Sequence, residues 1–181
     1  MKNIITGKNN LNIFYWIINQ WGQIGSFKRN KKNNQKIHKF LVQLDKGKLF
    51  KYTFDTISSL SKVASFLNPE KYAIYDSRAI FALNWLVFNY SKEKKIFPQP
   101  IGRGKELSQY DMGTIFRLTG NTYSEHSYKE AYHEYCELLT LLENAVYGST
   151  QSPYKIEMLL FLIAPDYIIN DIQKRVSISI R

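Results

Sequence analysis

One cysteine, Cys136, is all the thiol that this chain of 181 residues carries. A disulfide within the chain is excluded, and so is a CxxC metal site or an iron–sulfur cluster held by four cysteines. Such cysteine usage fits a reducing compartment, and the cytoplasm is the expected location. Long apolar runs are missing as well. The longest stretches, such as Leu11 to Ile18 and Ile156 to Ala164, fall short of the ~20 residues that span a bilayer. The first ten residues hold Lys2 and Lys8 but no apolar core with a cleavage pattern behind it, so neither a secretory leader nor a membrane partner is expected. Acid is scarce, with 15 Asp plus Glu against 25 Lys plus Arg. No internal repeat and no convincing strand pattern is visible.

What is present describes a folding chain. Hydrophobic residues make up 44% and aromatics 15%, with 13 Tyr and 11 Phe, enough to fill a core with large rings and leave some tyrosine at the surface. The length predicts one helical domain over 1–181, with a loop-rich insertion at about 91–123. The net charge of +10 favours a polyanionic partner such as DNA, RNA or a lipid surface, with DNA the partner expected. The same surplus has a bland origin, because a chain rich in Lys, Asn and Ile can be basic through genomic base composition alone.

Apolar periodicity predicts an all-α fold. Leu11, Phe14, Tyr15, Ile17 and Ile18 recur at helical spacing and stop at Gly22. The basic run Lys28-Arg29-Asn30-Lys31-Lys32-Asn33-Asn34 lacks that spacing and is expected to be a loop, with Asn34 capping the helix that carries Ile37, Phe40, Leu41 and Leu44. A helix with Leu60, Val63, Ala64 and Leu67, capped by Thr56 or Ser58, is expected to break at Asn68-Pro69. Tyr72 to Tyr75 reads as an extended connector. A strongly apolar helix follows from Arg78 to about Asn89, opened by Asp76-Ser77. Prolines and glycines punctuate 91–122. A long helix is expected from Tyr128 to Val146, closed by Gly148. Ser152-Pro153 starts another helix that ends at Ala164-Pro165, with a short one within Asp166 to Val176.

The stretch Leu60-Ser61-Lys62-Val63-Ala64, followed by a proline break and by Ala73-Ile74-Tyr75-Asp76-Ser77-Arg78, places a lysine on one helix and an aspartate at the mouth of the next. Over about Thr56 to Leu86 it resembles the helix–hairpin–helix DNA glycosylase superfamily. The family's glycine hairpin is replaced here by Phe54-Asp55-Thr56-Ile57-Ser58-Ser59-Leu60-Ser61, and the proline ahead of the aspartate by Ile74-Tyr75. The resemblance implies a glycosylase-like helix bundle that binds DNA and flips a base out of the duplex. It implies that Asp76 stabilises the cationic sugar and that Lys62 attacks the sugar carbon as the nucleophile of an AP lyase. Tyr72, Tyr75 and Trp85 would stack on the base. Neither a cofactor nor a metal is implied.

Each of these residues also has a structural use. Asp76 is a suitable helix N-cap. Lys62 is by default a solvated lysine, and Arg78 pairs with Asp76 or Glu70 or meets a phosphate. Cys136 is expected to be a small buried hydrophobe. For phosphate contact the candidates are Lys28, Arg29, Lys31, Lys32 and Lys36, with Ser58 and Ser59 at a helix start, Arg78, and Arg103 and Lys105 in the glycine- and proline-rich loop. The rival readings are a non-enzymatic nucleic-acid binder and a protein-interaction module with no nucleic-acid role.

Overall fold

The computed structural model describes residues 8–102, 107–148 and 152–176. The chain is all-α. Its elements are α1 (Lys8–Trp16) running into a π turn (Ile17–Trp21), α2 (Lys31–Asp45), α3 (Lys51–Phe54), α4 (Ile57–Leu67), α5 (Ser77–Tyr90), α6 (Met112–Leu118), α7 (Ala131–Tyr147), α8 (Tyr154–Ile163) and α9 (Ile169–Arg175). Two-residue strands, β1 (Lys95–Ile96) and β2 (Ser124–Glu125), pair in parallel with Lys95 opposite Ser124. The chain separates into two compact units, one made of 1–75 with 128–154, the other of 76–127 with 155–181.

In the first unit, α2 and α4 bury Ile37, Phe40, Leu41 and Leu44, and Leu60, Val63 and Ala64. The connector at 72–75 is extended and buried, so its backbone polar groups need partners inside the protein. It finds them in α7 and α4. The Tyr132 hydroxyl donates to the Ala73 carbonyl and the Tyr135 hydroxyl to that of Ile74, both at 3.0 Å. The Tyr75 amide donates to Ser61 Oγ, also at 3.0 Å. The rings of Tyr72 and Tyr132 stack 5.9 Å apart. Burial holds the Tyr132 hydroxyl well above the ordinary tyrosine value, so it stays a donor at any physiological pH.

Three sequence expectations for this unit are corrected. The basic run does not stay a loop, because α2 already starts at Lys31 and its cap is Asn30, whose side chain accepts from the Asn33 amide at 2.8 Å. A first turn made of Lys and Asn carries no apolar periodicity, so the pattern hid it. The long helix begins at Ala131 rather than Tyr128. Val146, expected on its apolar face, is exposed. Gly148 does close α7, with φ of 82° that favours glycine.

In the second unit α5 is central and buries eight of its residues from Ala79 to Phe88. The Asn84 side chain lies in this core and exchanges two hydrogen bonds with the Phe97 backbone, each at 2.8 Å. Phe88 stacks on Phe116 at 3.8 Å. Trp85 Nε1 donates to Asp171 Oδ2 at 2.8 Å, and Arg175 binds the other carboxylate oxygen at 2.8 Å. Those two donors, Trp85 first, hold the Asp171 carboxyl below the usual aspartate value. The stop expected at Ala164-Pro165 is a π turn, Ala164–Ile168, that passes into α9. A wide turn accommodates a residue with no N–H to donate. Helix α6 lies inside the stretch expected to be irregular.

Candidate nucleic-acid interface

Between Lys28 and Lys51 the sequence has nine basic residues and a single acid, Asp45, so this stretch alone carries +8 of the chain's +10. In space it is α2 with its two flanks, all in the first unit. Ahead of the helix, the Asn30 and Asn33 side-chain amides both donate to the Lys28 carbonyl, at 3.1 and 2.7 Å. The Arg29 guanidinium binds Asn12 and lies 5.8 Å from the centre of the Tyr15 ring. Tyr15 in turn donates to Asn34 at 2.9 Å. Lys28 and Arg29 are therefore held against α1 and the start of α2. Lys31 and Lys32 occupy the first two positions of the helix and are exposed.

That placement works against stability. The N-terminal end of a helix carries partial positive charge, and cations there are unfavourable. No acid occupies the first turn of α2. Four cations gather at the positive end of this fifteen-residue helix, where Arg29 ties to Asn12 and Tyr15 while Lys31 and Lys32 face solvent.

Further along, Lys32, Lys39 and Lys46 recur every seven residues, two helical turns, and so share a face. Lys36 lies between them. Lys36 is buried as a whole, with its ammonium 4.3 Å from the centre of the Tyr52 ring. Lys39 reaches the same ring at 5.6 Å. Burial, and then the positive charge of Lys32, hold the Lys36 ammonium below the ordinary lysine value. The face ends in a groove of about 550 Å³. Val42 and Phe50 give it exposed apolar surface, His38, Lys39, Lys46 and Lys48 surround them, and buried Gln43 lies beneath.

The other predicted residues are dispersed. Ser59 is buried and its amide is taken by the Thr56 carbonyl at 3.0 Å, which removes it from the phosphate site expected of it. Ser58 is half-buried in the same first turn of α4. Tyr72, Tyr75 and Trp85 are buried, and the base-stacking role expected of them is withdrawn, because their rings are enclosed by the core. Asp76 caps α5 by accepting from the Arg78 amide at 2.8 Å. The Arg78 guanidinium lies 4.9 Å from the Phe161 ring centre. Arg103 and Lys105 lie outside the described residues.

Lys62 departs from the solvated default. It is only 8% exposed. A Cβ at Gly22 would come within 2.6 Å of Lys62 Cδ, so glycine there lets the lysine stem lie on the backbone. Its ammonium is 5.6 Å from the Trp21 ring centre. Lys62 belongs to the first unit and Asp76 to the second.

Cys136 is buried against the same core, and desolvation pushes its thiol up to about 12, which leaves no thiolate for nucleophilic chemistry. Among the described residues no group of three or more His, Cys, Asp or Glu could hold a metal ion, and no helix is long and apolar enough to cross a membrane. Comparison with protein-family models, with curated proteins and with solved structures gives no match.

The residues that sequence reasoning missed are Lys39, Val42, Lys46, Lys48, Phe50 and Tyr52. A signal was present in Lys48-Leu49-Phe50-Lys51-Tyr52, where basic and aromatic residues interleave.

Proposed function

We propose that this chain binds nucleic acid through the basic face of its first unit, with Lys28, Arg29, Lys31 and Lys32 at the head of α2 and Lys36, Lys39 and Lys46 along it. One observation carries the reading: nine cations against one acid, set along a single helix and its flanks, with four of them where the helix dipole opposes them. Phosphates neutralise that charge and release counterions, so affinity falls steeply with salt. Fluorescence anisotropy with labelled duplex and single-stranded oligonucleotides, at low and at physiological salt, tests it. Salt-sensitive binding that weakens when Lys28, Arg29, Lys31 and Lys32 are changed together to glutamine is the expected result. No binding of either oligonucleotide at low salt would overturn the reading.

A second reading, excision of a damaged base with strand cleavage, rests on Lys62. A lysine set into the protein at 8% exposure, on a bare glycine backbone, is a candidate Schiff-base nucleophile. In that chemistry the amine attacks the sugar C1′, and the base departs with the glycosidic electron pair and takes up the proton that the amine loses. The C1′–O4′ bond then opens with protonation of O4′ to leave an imine, and borohydride reduces that imine to a stable adduct. The resemblance assigns Asp76 the stabilisation of the cationic sugar. Borohydride trapping on a duplex with an abasic site or 8-oxoguanine gives an adduct that Lys62→Ala abolishes. No adduct with the unchanged protein sinks the lyase.

A further inference from the structure

From the groove at the end of α2 we infer a site for single-stranded nucleic acid, in which an unstacked base lies on Phe50 and the backbone phosphates run along Lys39, Lys46 and Lys48. The inference deepens the nucleic-acid reading and rests on it.

Three observations carry it. The first is the exposure of Phe50. A phenylalanine that is 64% exposed loses the benefit of burying its ring. It is nevertheless held in place, because its own amide donates to the buried Gln43 Oε1 at 2.8 Å and that oxygen also accepts from Thr53 Oγ1 at 2.6 Å. The backbone beneath the ring is thereby anchored to a buried side chain, which lowers the cost of ordering this segment on binding.

The second is the setting. Val42 extends the apolar surface beside Phe50, and Lys39, Lys46, Lys48 and His38 stand around it with no acid lining the groove. Lys48 makes an ion pair with Glu130 at 3.8 Å, with both side chains well exposed. A pair of that kind is weak in water and yields readily to a phosphate. The volume of about 550 Å³ falls in the range of clefts that hold a small organic group, roughly 300–1,000 Å³.

The third is chemical. A duplex keeps its base faces stacked inside and presents phosphates, which Lys28 to Lys32 already suit. An exposed ring amid lysines suits a strand whose bases are free to stack. Tyr52, 37% exposed with Lys36 over its ring, extends the alternation of ring and cation toward the head of α2. DNA and RNA single strands share this chemistry, because stacking on an aromatic ring is indifferent to the 2′-hydroxyl.

The test uses fluorescence anisotropy on the full chain with four labelled probes. Two are strands of about 16 nucleotides, oligothymidylate and oligouridylate. The third is an abasic sugar–phosphate strand of the same length, and the fourth a duplex. Phe50→Ala is expected to weaken binding of the two base-bearing strands by roughly five- to a hundredfold, the range for loss of one stacked base. It should leave the duplex and the abasic strand within about twofold. Phe50→Trp restores or strengthens binding. Because the side chain is exposed, thermal melting of Phe50→Ala should stay close to that of the unchanged protein, and Trp rescue separates stacking from any loss of fold. Equal affinity for base-bearing and abasic strands would overturn the inference, as would Phe50→Ala binding all four probes like the unchanged protein. In either case, salt-sensitive duplex binding leaves the broader reading standing, whereas no binding of any probe removes both.

Discussion

Gln43 and Phe50 are locked together by a 2.8 Å hydrogen bond from the Phe50 amide to the Gln43 side-chain oxygen, and the same oxygen accepts from the fully buried Thr53. One buried amide on α2 thus anchors the start of α3 and the backbone that carries an exposed ring. Replacing it by leucine keeps the bulk and leaves the Phe50 amide without its acceptor, while the Thr53 hydroxyl keeps the Phe50 carbonyl at 2.7 Å. Gln43→Leu is expected to lower stability by about 1–3 kcal/mol, read by urea denaturation. It should also weaken single-strand binding at temperatures where the variant is fully folded, although Gln43 need not touch the nucleic acid.

The head of α2 makes a prediction about salt. Each cation that neutralises a phosphate adds to the slope of log affinity against log salt, by about 0.9 on duplex DNA and about 0.7 on single strands. Changing Lys28, Arg29, Lys31 and Lys32 one at a time to glutamine should flatten that slope by about this amount for each residue in contact. Changing Lys31 or Lys32 should raise the melting temperature slightly or leave it unchanged, because it relieves a cation at the positive end of the helix, whereas Arg29→Gln also gives up the contacts with Asn12 and Tyr15. A loss of stability would contradict the placement of Lys31 and Lys32.

Asp76 makes a defined structural contribution as the N-cap of α5, accepting from the Arg78 amide at 2.8 Å. Asp76→Ala is expected to cost about 1 kcal/mol and Asp76→Asn far less, since asparagine caps as well as aspartate. Paired with borohydride trapping, the asparagine variant separates two uses of one side chain. Normal stability with a lost adduct marks a chemical role, and normal stability with a normal adduct marks a cap.

His133 predicts how the first unit responds to acid. Its Nε2 meets the Leu44 carbonyl at 3.2 Å, and its Nδ1 is buried with no hydrogen-bond partner. The contact assigns the proton to Nε2, and burial holds the ring below the ordinary histidine value of 6.5. Because the unfolded chain takes up the proton first, stability is full above pH 6.5 and declines as pH falls through that value, until the folded histidine also protonates. His133→Gln keeps a donor for Leu44 and cannot titrate. Urea midpoints measured between pH 8 and pH 5 should converge or cross for the two proteins as acid is added. Parallel curves would show that His133 does not carry the dependence.

The helices were largely legible because burial leaves a period in the sequence. Phe40, Leu41 and Leu44 on α2, and Leu60, Val63 and Ala64 on α4, all lie in the core as their spacing required. The first turn of α2 was not legible, since a turn of Lys and Asn has no apolar face to display. Helix α6 was hidden by the glycines around it, and Pro165 was tolerated through a π turn that no local pattern announces. For the candidate site, the cluster at Lys28 to Lys36 could be read from charge alone. Phe50 could not, because exposed and buried phenylalanines look alike in sequence, and what distinguishes this one is the partner of its backbone amide. The burial of Tyr72 and Tyr75 was likewise decided by tyrosines about sixty residues further along the chain.

Those hydroxyl contacts also set a timetable for synthesis. The connector at 72–75 leaves the ribosome with two carbonyls that only Tyr132 and Tyr135, from a stretch 59 to 61 residues downstream, will occupy. Until α7 emerges, the first 75 residues have their basic helix but not the ring stack that closes their core. Pairings this far apart along the chain are slow to close and leave apolar surface open meanwhile. A nascent chain arrested near residue 125 should therefore remain protease-sensitive throughout its first 75 residues. One released beyond Gly148 should acquire protection in a single late step.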